Sequence, residues 1–182
     1  MLFRSNQKDT VVVSIDFQER LVPAMVDSKP MIDKAVKLLK GANILGIPVL
    51  FTQQYTRGLG DTVPEIKDVC PEFSYIEKQS FSVAGAKEFC DRLDKLKPKN
   101  IIIIGIEMHI CVLQSALDLL DEGFNVFVAA DCVSSRKRFD KEVALGRLQA
   151  KGVELLTVEA ALFQLLGSME NPDFRKISKL IK

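Results

Sequence analysis

The chain has 182 residues, of which 47% are hydrophobic and 27% are charged. That composition excludes a disordered or fibrous protein and predicts a soluble globular one, and the length suits a single α/β domain over residues 1–182. The 25 basic and 24 acidic residues leave a formal net charge of +1, which provides no excess positive field for a nucleic acid partner.

The cysteine content and the start of the chain indicate the cellular compartment in which we expect the protein. The four cysteines, at positions 70, 90, 111 and 132, have neither the density of a disulfide scaffold nor the close spacing of zinc ligands. The start of the chain lacks the apolar stretch of a secretory signal, and no apolar run is long enough to span a bilayer. We therefore expect a cytoplasmic protein with reduced thiols and no membrane partner, while a short organellar presequence stays open.

The amino-terminal half alternates short β-branched runs with amphipathic stretches, a pattern typical of strand–helix units around a parallel sheet. The apolar run at Thr10–Ile15 predicts a strand that is buried on both faces. We then expect a helix over residues 30–45, a strand over residues 47–51 and a short strand at Tyr75–Lys78. Residues 53–70 have no clear period and predict a long surface loop, a kind of segment that often carries function.

The carboxyl-terminal half repeats the pattern and contains the strongest strand signal. The run NIIIIGI predicts a buried strand at Asn100–Ile106. The other predicted elements are helices over residues 84–96, 111–122 and 141–150, strands over residues 124–130 and 153–157, and a final helix. Because crossovers between parallel strands are right-handed, the sequence predicts a three-layer, doubly wound parallel sheet of six strands in the order 3-2-1-4-5-6.

Two polar side chains are expected in the crevice beyond the carboxyl ends of the strands, between the first and fourth strands. Asp16 directly follows the first strand, and Cys111 follows the fourth strand after a short EMHI turn that leads into a helix. Unpaired N–H groups and the positive end of a helix dipole favour a thiolate at such a position. Cys111 is therefore the predicted nucleophile, and we expect its thiol to be ionised.

A thiol nucleophile needs a proton acceptor and a compensating cation. Asp16 is the candidate acceptor, and Lys78, at the end of the short third strand, is the candidate cation. Taken alone, each residue has an ordinary explanation, since aspartates often cap loops and lysines are mostly solvated. Their expected position opposite Cys111 favours the functional interpretation.

The remaining cysteines and the single histidine give weaker signals. Cys90 lies inside a predicted helix and Cys70 precedes a proline, so both are interpreted as structural. Cys132 lies at the same edge of the sheet as Cys111, but no helix begins at it. His109 stands two residues before Cys111, too close for a relaxed Cys–His relay, and we predict that it contacts substrate. One histidine leaves no cluster of metal ligands, so no transition-metal site is expected.

Two other enzyme classes are disfavoured by the turn after the first strand. The segment DFQERLVPA contains no glycine where a GxGxxG motif would hold the pyrophosphate of a dinucleotide cofactor. A phosphatase of the haloacid dehalogenase type would require a second acid two residues after Asp16, and Gln18 stands there.

Three segments resemble the isochorismatase-like cysteine hydrolases, in the right order and at the right separations. They are VVVSIDFQERL, YIEKQSFS and GIEMHICVLQSALDLLDEGFNVFVAADCVSSR. The resemblance runs from Asp9 onward and is greatest to the isochorismatase domain-containing proteins and the YcaC-related amidohydrolases. It implies an Asp-Lys-Cys catalytic triad, whose members fall on Asp16, Lys78 and Cys111.

The resemblance also implies features around the triad. A cis peptide bond between Ile106 and Glu107 is expected, which directs the N–H groups of Glu107 and Cys111 toward one oxyanion. Residues 53–55 replace the metal-binding aspartate and histidines of the nicotinamidase branch, so we expect neither a metal nor another cofactor. The residues expected to line the substrate pocket are Phe17, Gln18, Gln54, Tyr55, Phe81 and His109.

The sequence therefore predicts a cysteine-dependent hydrolase that cleaves a C–N bond in a small amide-like substrate through a thioester intermediate. A non-catalytic binding or scaffold protein of the same fold stays open as the alternative. The resemblance further implies a homo-oligomer, either a dimer, a tetramer or a larger assembly.

Overall fold

The structure, a computed structural model, describes residues 7–182, and in that range the strands form one parallel sheet. The six strands lie in the order β3-β2-β1-β4-β5-β6, which confirms the order predicted from the sequence. The strands are β1 (Thr10–Ile15), β2 (Val49–Gln54), β3 (Tyr75–Lys78), β4 (Asn100–Ile106), β5 (Asn125–Ser134) and β6 (Glu154–Leu156).

Helices cover both faces of the sheet, as the continuous apolar runs of the central strands predict. The helices are α1 (Ser28–Ile44), α2 (Thr56–Leu59), α3 (Pro64–Lys67), α4 (Lys87–Leu96), α5 (Leu113–Asp121), α6 (Arg138–Ala150), α7 (Val158–Leu166) and α8 (Phe174–Ile181). The apolar cluster on one face includes α1, α7 and α8, and the cluster on the other face includes α4, α5 and α6. All residues of β1 and β4 are buried between the two clusters.

The end of the second strand differs from its prediction in a way that affects the site. We expected a strand over residues 47–51, whereas β2 extends to Gln54. The reason is its pairing with β3, in which Gln53 lies opposite Glu77 and Gln54 lies opposite Lys78. Gln54 therefore belongs to the sheet, next to Lys78, instead of to the loop.

The fifth strand is also longer than the predicted range of residues 124–130. Its pairing with β4 is interrupted by a bulge, because Ile103 pairs with Val128 whereas Gly105 pairs with Val133. Extra residues in one strand bend it and prolong it beyond the regular ladder. The bulge carries β5 on to Ser134, beside the end of β4.

Other elements need smaller corrections. The predicted loop over residues 53–70 contains two single-turn helices, α2 and α3. The basic tail forms α8, which packs against α1 and α7 through an apolar side centred on the buried Ile177. Among residues 7–182, no helix combines the length and apolar character required to cross a membrane.

Gly105 allows β1 and β4 to come unusually close just before the strands end. Its φ is +128°, and a Cβ atom at this position would lie 2.1 Å from the carbonyl oxygen of Ile15. That oxygen belongs to the main chain of a buried strand, so it cannot move aside without shifting the residue that follows, Asp16. The glycine thus sets the distance between the two strand ends.

Replacing Gly105 with alanine is therefore expected to lower the free energy of unfolding by about 2 kcal/mol or more, the range of forced backbone strain. Urea denaturation followed by circular dichroism measures the change. Gly146→Ala is the matched control, because Gly146 lies in α6 with open space around it and alanine favours a helix by about 0.5–1 kcal/mol. Equal stability of the two variants would contradict this interpretation.

Candidate active site

Asp16 occupies the first position beyond β1 and is almost completely buried, with 1% of its surface exposed. Its φ of +53° lies in the left-handed region, which turns the chain sharply at the strand end. The Thr52 hydroxyl donates a hydrogen bond of 2.7 Å to Asp16 Oδ1. The other oxygen, Oδ2, lies 2.7 Å from Lys78 Nζ and receives no directed hydrogen bond from any residue that the structure describes.

Lys78 ends β3 and forms a buried ion pair with Asp16, in which neither side chain has exposed surface. Its ammonium group also donates to Gln54 Oε1 at 2.7 Å, and to the carbonyl oxygens of Ser80 at 3.2 Å and Phe81 at 3.1 Å. An ammonium group has three hydrogens to donate, so its neighbours within the protein already use all of them. Lys78 therefore acts as a fixed positive charge and has no hydrogen left for a ligand.

Cys111 lies in a π-helical turn, Met108–Val112, that leads from β4 into α5. We expected the helix to begin at Cys111, but helical turns start three residues earlier. The charges of both Asp16 and Lys78 act on the Cys111 thiol, so the structure brings together all three residues of the predicted triad. With 8% of its surface exposed, Cys111 keeps a narrow contact with solvent, unlike the other two.

The protonation state of Cys111 differs from our sequence-based prediction. Burial, reinforced by the negative charge of Asp16 and opposed by Lys78, raises the pKa of the thiol from its ordinary value of 9.0 to about 12. The expectation of an ionised thiol was wrong, because it considered the helix terminus but not the loss of water or the adjacent carboxylate. At rest the group is a neutral thiol beside a carboxylate.

The turn between β4 and Cys111 is fixed by Glu107. The Ile106–Glu107 peptide bond is cis, at the position that the resemblance implies. The Glu107 carbonyl accepts hydrogen bonds from the N–H groups of Ile110 at 3.1 Å and Val112 at 3.2 Å. The Glu107 side chain, 8% exposed, accepts hydrogen bonds from the main chain and the Nε of Arg136 at 3.0 and 3.1 Å. This arrangement holds the turn that carries Cys111 against the end of β5.

Two of the residues predicted to line the pocket are buried instead. Phe17, 1% exposed, belongs to the apolar core beside α1. Gln18, 0% exposed, donates to the carbonyls of Gln54 at 3.0 Å and Gly60 at 2.7 Å, and accepts from the Gln54 N–H at 2.7 Å. The structure thus gives both side chains partners within the protein, since Phe17 packs in the core and Gln18 ties the loop after β2 to the sheet, and their contact with substrate stays a prediction.

Three other predicted pocket residues lie around Lys78. Gln54 uses its amide group within the protein, because Oε1 accepts from Lys78 and Nε2 donates to the Gln79 carbonyl at 2.9 Å. The Tyr55 N–H donates to the Lys78 carbonyl at 3.3 Å. Tyr55 and Phe81 are 49% and 53% exposed. Their main chains are thus fixed by Lys78, while their aromatic rings stand at the surface beside it.

His109 belongs to the turn that carries Cys111 and is half-buried. Its Nδ1 is 2.9 Å from the hydroxyl of Ser135, a fully buried residue just beyond β5. This contact fixes one ring nitrogen and leaves Nε2 as the atom for any ligand contact.

Three partners of the site have no clear signal in the sequence: Thr52, Ser135 and Arg136. A threonine inside a strand and a serine after one are too common to single out. The one available signal for Thr52 was its spacing of two residues from Gln54, which places both side chains on the same face of a strand. The partnership of Arg136 with Glu107 depends on the β5 bulge, which the sequence does not reveal.

Metal ligands form no cluster in the part of the chain that the structure describes: no three His, Cys, Asp or Glu side chains are grouped to hold an ion. At the end of β2, Gln53 is fully buried. Its amide donates to the Asp61 carboxylate at 2.5 Å and the Thr62 hydroxyl at 2.9 Å. These neutral amide contacts secure the loop after β2.

The raised pKa of Cys111 predicts an alkaline loss of stability. In the unfolded chain the thiol ionises near pH 9.0, whereas the folded thiol stays protonated up to about pH 12. The contribution is thus complete below pH 9 and is lost as the pH rises from 9 toward 12, by about 1.4 kcal/mol per pH unit. Urea denaturation measures the free energy of unfolding at each pH, and this free energy should fall less steeply with pH in Cys111→Ala than in the unmodified protein. Equal pH dependences in the two proteins would contradict the raised pKa of Cys111.

Comparison with known proteins adds to this geometry. Residues 10–160 match the isochorismatase domain family. The chain is 38% identical over 173 residues to isochorismatase domain-containing protein 1 of Salmo salar, covering 95% of this chain and 61% of that protein. It is also 38% identical over 176 residues to isochorismatase domain-containing protein 2 of Rattus norvegicus, covering 96% of this chain and 82% of that one.

Two solved structures share the fold of this chain. A structure of MAR1 ribonuclease from Caenorhabditis elegans superposes with a TM-score of 0.92 at 37% identity, covering 98% of this chain and 92% of the other. YcaC from Pseudomonas aeruginosa, solved with covalent acrylamide, gives a TM-score of 0.92 at 24% identity, covering 100% of this chain and 91% of the other; at that identity the likeness concerns the fold alone. The match to the family over most of the chain, together with the curated relatives, shows that the chain belongs to the isochorismatase domain family.

Proposed function

We propose that the protein is a cysteine-dependent hydrolase that cleaves the C–N bond of a small amide-like substrate, with Cys111 as nucleophile, Asp16 as proton acceptor and Lys78 as fixed cation. The observation that carries the proposal is a neutral thiol in contact with a buried carboxylate–ammonium pair whose atoms lie 2.7 Å apart. Buried charges are costly unless paired and hydrogen-bonded. Such a pair next to a thiol is an arrangement suited to proton transfer.

In the first half of the reaction, the Cys111 proton passes to Asp16 Oδ2 as the sulfur attacks the substrate carbonyl carbon. The new S–C bond creates a tetrahedral oxyanion, which the N–H groups of Glu107 and Cys111 stabilise. Collapse of this intermediate breaks the C–N bond. The proton held on Asp16 passes to the departing nitrogen, which leaves a thioester on Cys111 and a neutral amine.

In the second half, water attacks the thioester carbon while Asp16 takes a proton from it. The S–C bond then breaks, the carboxylic acid product leaves, and the proton on Asp16 returns to the sulfur. Asp16 is thus ionised at the start and end of each cycle. Lys78 makes this possible, because its fixed charge stabilises the buried carboxylate and, during attack, the developing thiolate.

The rings of Tyr55 and Phe81 are proposed to form the outer wall of the substrate pocket, with His109 on the opposite side. Their half-exposed aromatic surfaces suit a small, largely uncharged molecule with an apolar or planar group. Because the polar atoms of Lys78 and Gln54 are used within the protein, the reacting carbonyl is held by main-chain N–H groups instead of these side chains.

The name of the Caenorhabditis elegans relative makes RNA cleavage the second candidate. The consecutive basic residues Arg136, Lys137 and Arg138 follow β5, at the same edge of the sheet as Cys111. Two of them are already paired, Arg136 with Glu107 and Arg138 with Asp27. The carboxylate–thiol geometry favours acyl transfer over phosphoryl transfer, so amide hydrolysis stands first, and RNA belongs among the test substrates.

We expect Cys111 to react with iodoacetamide near neutral pH in the unmodified protein and the label to be lost in Cys111→Ala. Because the neutral thiol depends on Asp16 for ionisation, Asp16→Asn should slow labelling at least ~100-fold, the scale of general base catalysis. Peptide mass spectrometry locates the label, and circular dichroism verifies that each variant folds.

Cys90→Ala is the matched control, since this half-buried thiol lies in α4 and its removal should not alter the labelling of Cys111. Labelling confined to Cys132 would contradict the site. Turnover is then measured on a panel of small amides, nitriles, carbamoyl compounds and a single-stranded RNA, with Cys111→Ala as the blank. Release of amine or ammonia that requires Cys111 supports the proposal. RNA cleavage that persists in Cys111→Ala contradicts it. Slow, ordinary alkylation of Cys111 without turnover of any substrate favours a binding protein.

For a substrate found in that panel, Phe81→Ala should raise KM about 5- to 30-fold with little change in kcat, because one aromatic contact contributes about 1–2 kcal/mol to binding. Phe139→Ala is the control: Phe139 is 73% exposed on α6 and lies outside the proposed pocket. Steady-state kinetics of both variants measures the effect. An unchanged KM in Phe81→Ala would remove this residue from the pocket.

A further inference from the structure

Two side chains of β2 form hydrogen bonds with the buried ion pair, one with Asp16 and one with Lys78. Thr52 and Gln54 are two residues apart and thus lie on the same face of the strand. Thr52 Oγ1 donates to Asp16 Oδ1 at 2.7 Å, and Gln54 Oε1 accepts from Lys78 Nζ at 2.7 Å. One strand therefore holds both charged members of the site from the same side.

Thr52 contacts Asp16 through its main chain as well as through its side chain. It lies opposite Ile15 in the β1–β2 register, and its carbonyl accepts the main-chain N–H of Asp16 at 3.2 Å. With 1% of its surface exposed, the hydroxyl has no access to bulk water as an alternative partner. Two hydrogen bonds, one to the main chain and one to the side chain, thus hold Asp16 against this single residue.

This contact leaves the two oxygens of Asp16 in different states. Oδ1 is occupied by a hydroxyl donor, whereas Oδ2 faces Lys78 and lacks a directed hydrogen bond among residues 7–182. A carboxylate whose first oxygen is held by a donor cannot rotate freely to exchange the two. The oxygen with spare acceptor capacity is therefore the one beside the ammonium.

We propose that Thr52 is a positioning residue for the hydrolase reaction: its hydroxyl holds Oδ1 so that Oδ2 alone is presented to the Cys111 proton. The inference rests on the proposed function and adds a residue that acts through Asp16.

The test is the rate of Cys111 alkylation by iodoacetamide in Thr52→Val, which keeps the shape of threonine and removes the donor. We expect the rate to fall about 10-fold or more, in line with the loss of an oriented proton acceptor. Thr52→Ser restores the donor and should recover the rate.

A purely structural role for Thr52 gives a different result. In that case Thr52→Val lowers the unfolding temperature but leaves the alkylation rate of the folded protein unchanged, or Thr52→Ser fails to restore a lowered rate; either result overturns the inference. Thr62→Val is the matched control, since Thr62 is another buried threonine whose hydroxyl contacts Gln53 instead of Asp16, and its alkylation rate should match that of the unmodified protein. Thr52→Ala removes the same hydroxyl and replaces the valine variant if valine does not fold.

The experiment separates this inference from the proposed function. If Asp16→Asn abolishes rapid alkylation while Thr52→Val leaves the alkylation rate unchanged, the hydrolase proposal stands and the role of Thr52 is rejected. If Cys111 reacts slowly and independently of Asp16, the hydrolase proposal and the inference that rests on it both fail.

Discussion

The buried ion pair between Asp16 and Lys78 is the interaction on which the rest of the site depends. Removing two charges from water costs several kcal/mol per ion unless their hydrogen-bonding groups are matched within the protein. Here the matching is done by Thr52 on the carboxylate and by Gln54 and two main-chain carbonyls on the ammonium. The strand order supplies these partners, because β3, β2, β1 and β4 are consecutive neighbours whose carboxyl ends meet at one edge.

A neutral resting thiol follows from the same constraint. Water exclusion and the Asp16 charge raise the pKa of Cys111, and Lys78 compensates only in part. Since the thiolate is the reactive form of cysteine, the sulfur becomes nucleophilic in the proposed mechanism only when its proton passes to Asp16. In that mechanism ionisation is coupled to the approach of an electrophile, and Lys78 contributes a fixed positive charge beside the proton acceptor.

The sequence predicts the fold and the identity of the three central residues more completely than their environment. Periodicity and buried apolar runs identify the strands and the crossover helices, because these are local patterns. The rule that crossovers are right-handed then leads to the predicted strand order. The position of Asp16 follows from the end of a single strand. The role of Thr52, the burial of Phe17 and Gln18, and the neutral state of Cys111 depend on contacts between distant segments. Pairing between β2 and β3 and the bulge in β5 decide those contacts, and neither has a local signature.

The most direct measurement of the central claim is the ultraviolet absorbance of thiolate in the native protein, recorded as a difference from Cys111→Ala while the pH is raised from mildly acidic to alkaline. A pKa of about 12 for Cys111 predicts no thiolate absorbance from this residue near neutral pH and its appearance only in strongly alkaline solution. A full thiolate signal near neutral pH, absent from Cys111→Ala, would show an ion pair at rest and would contradict proton transfer to Asp16 as the activating step.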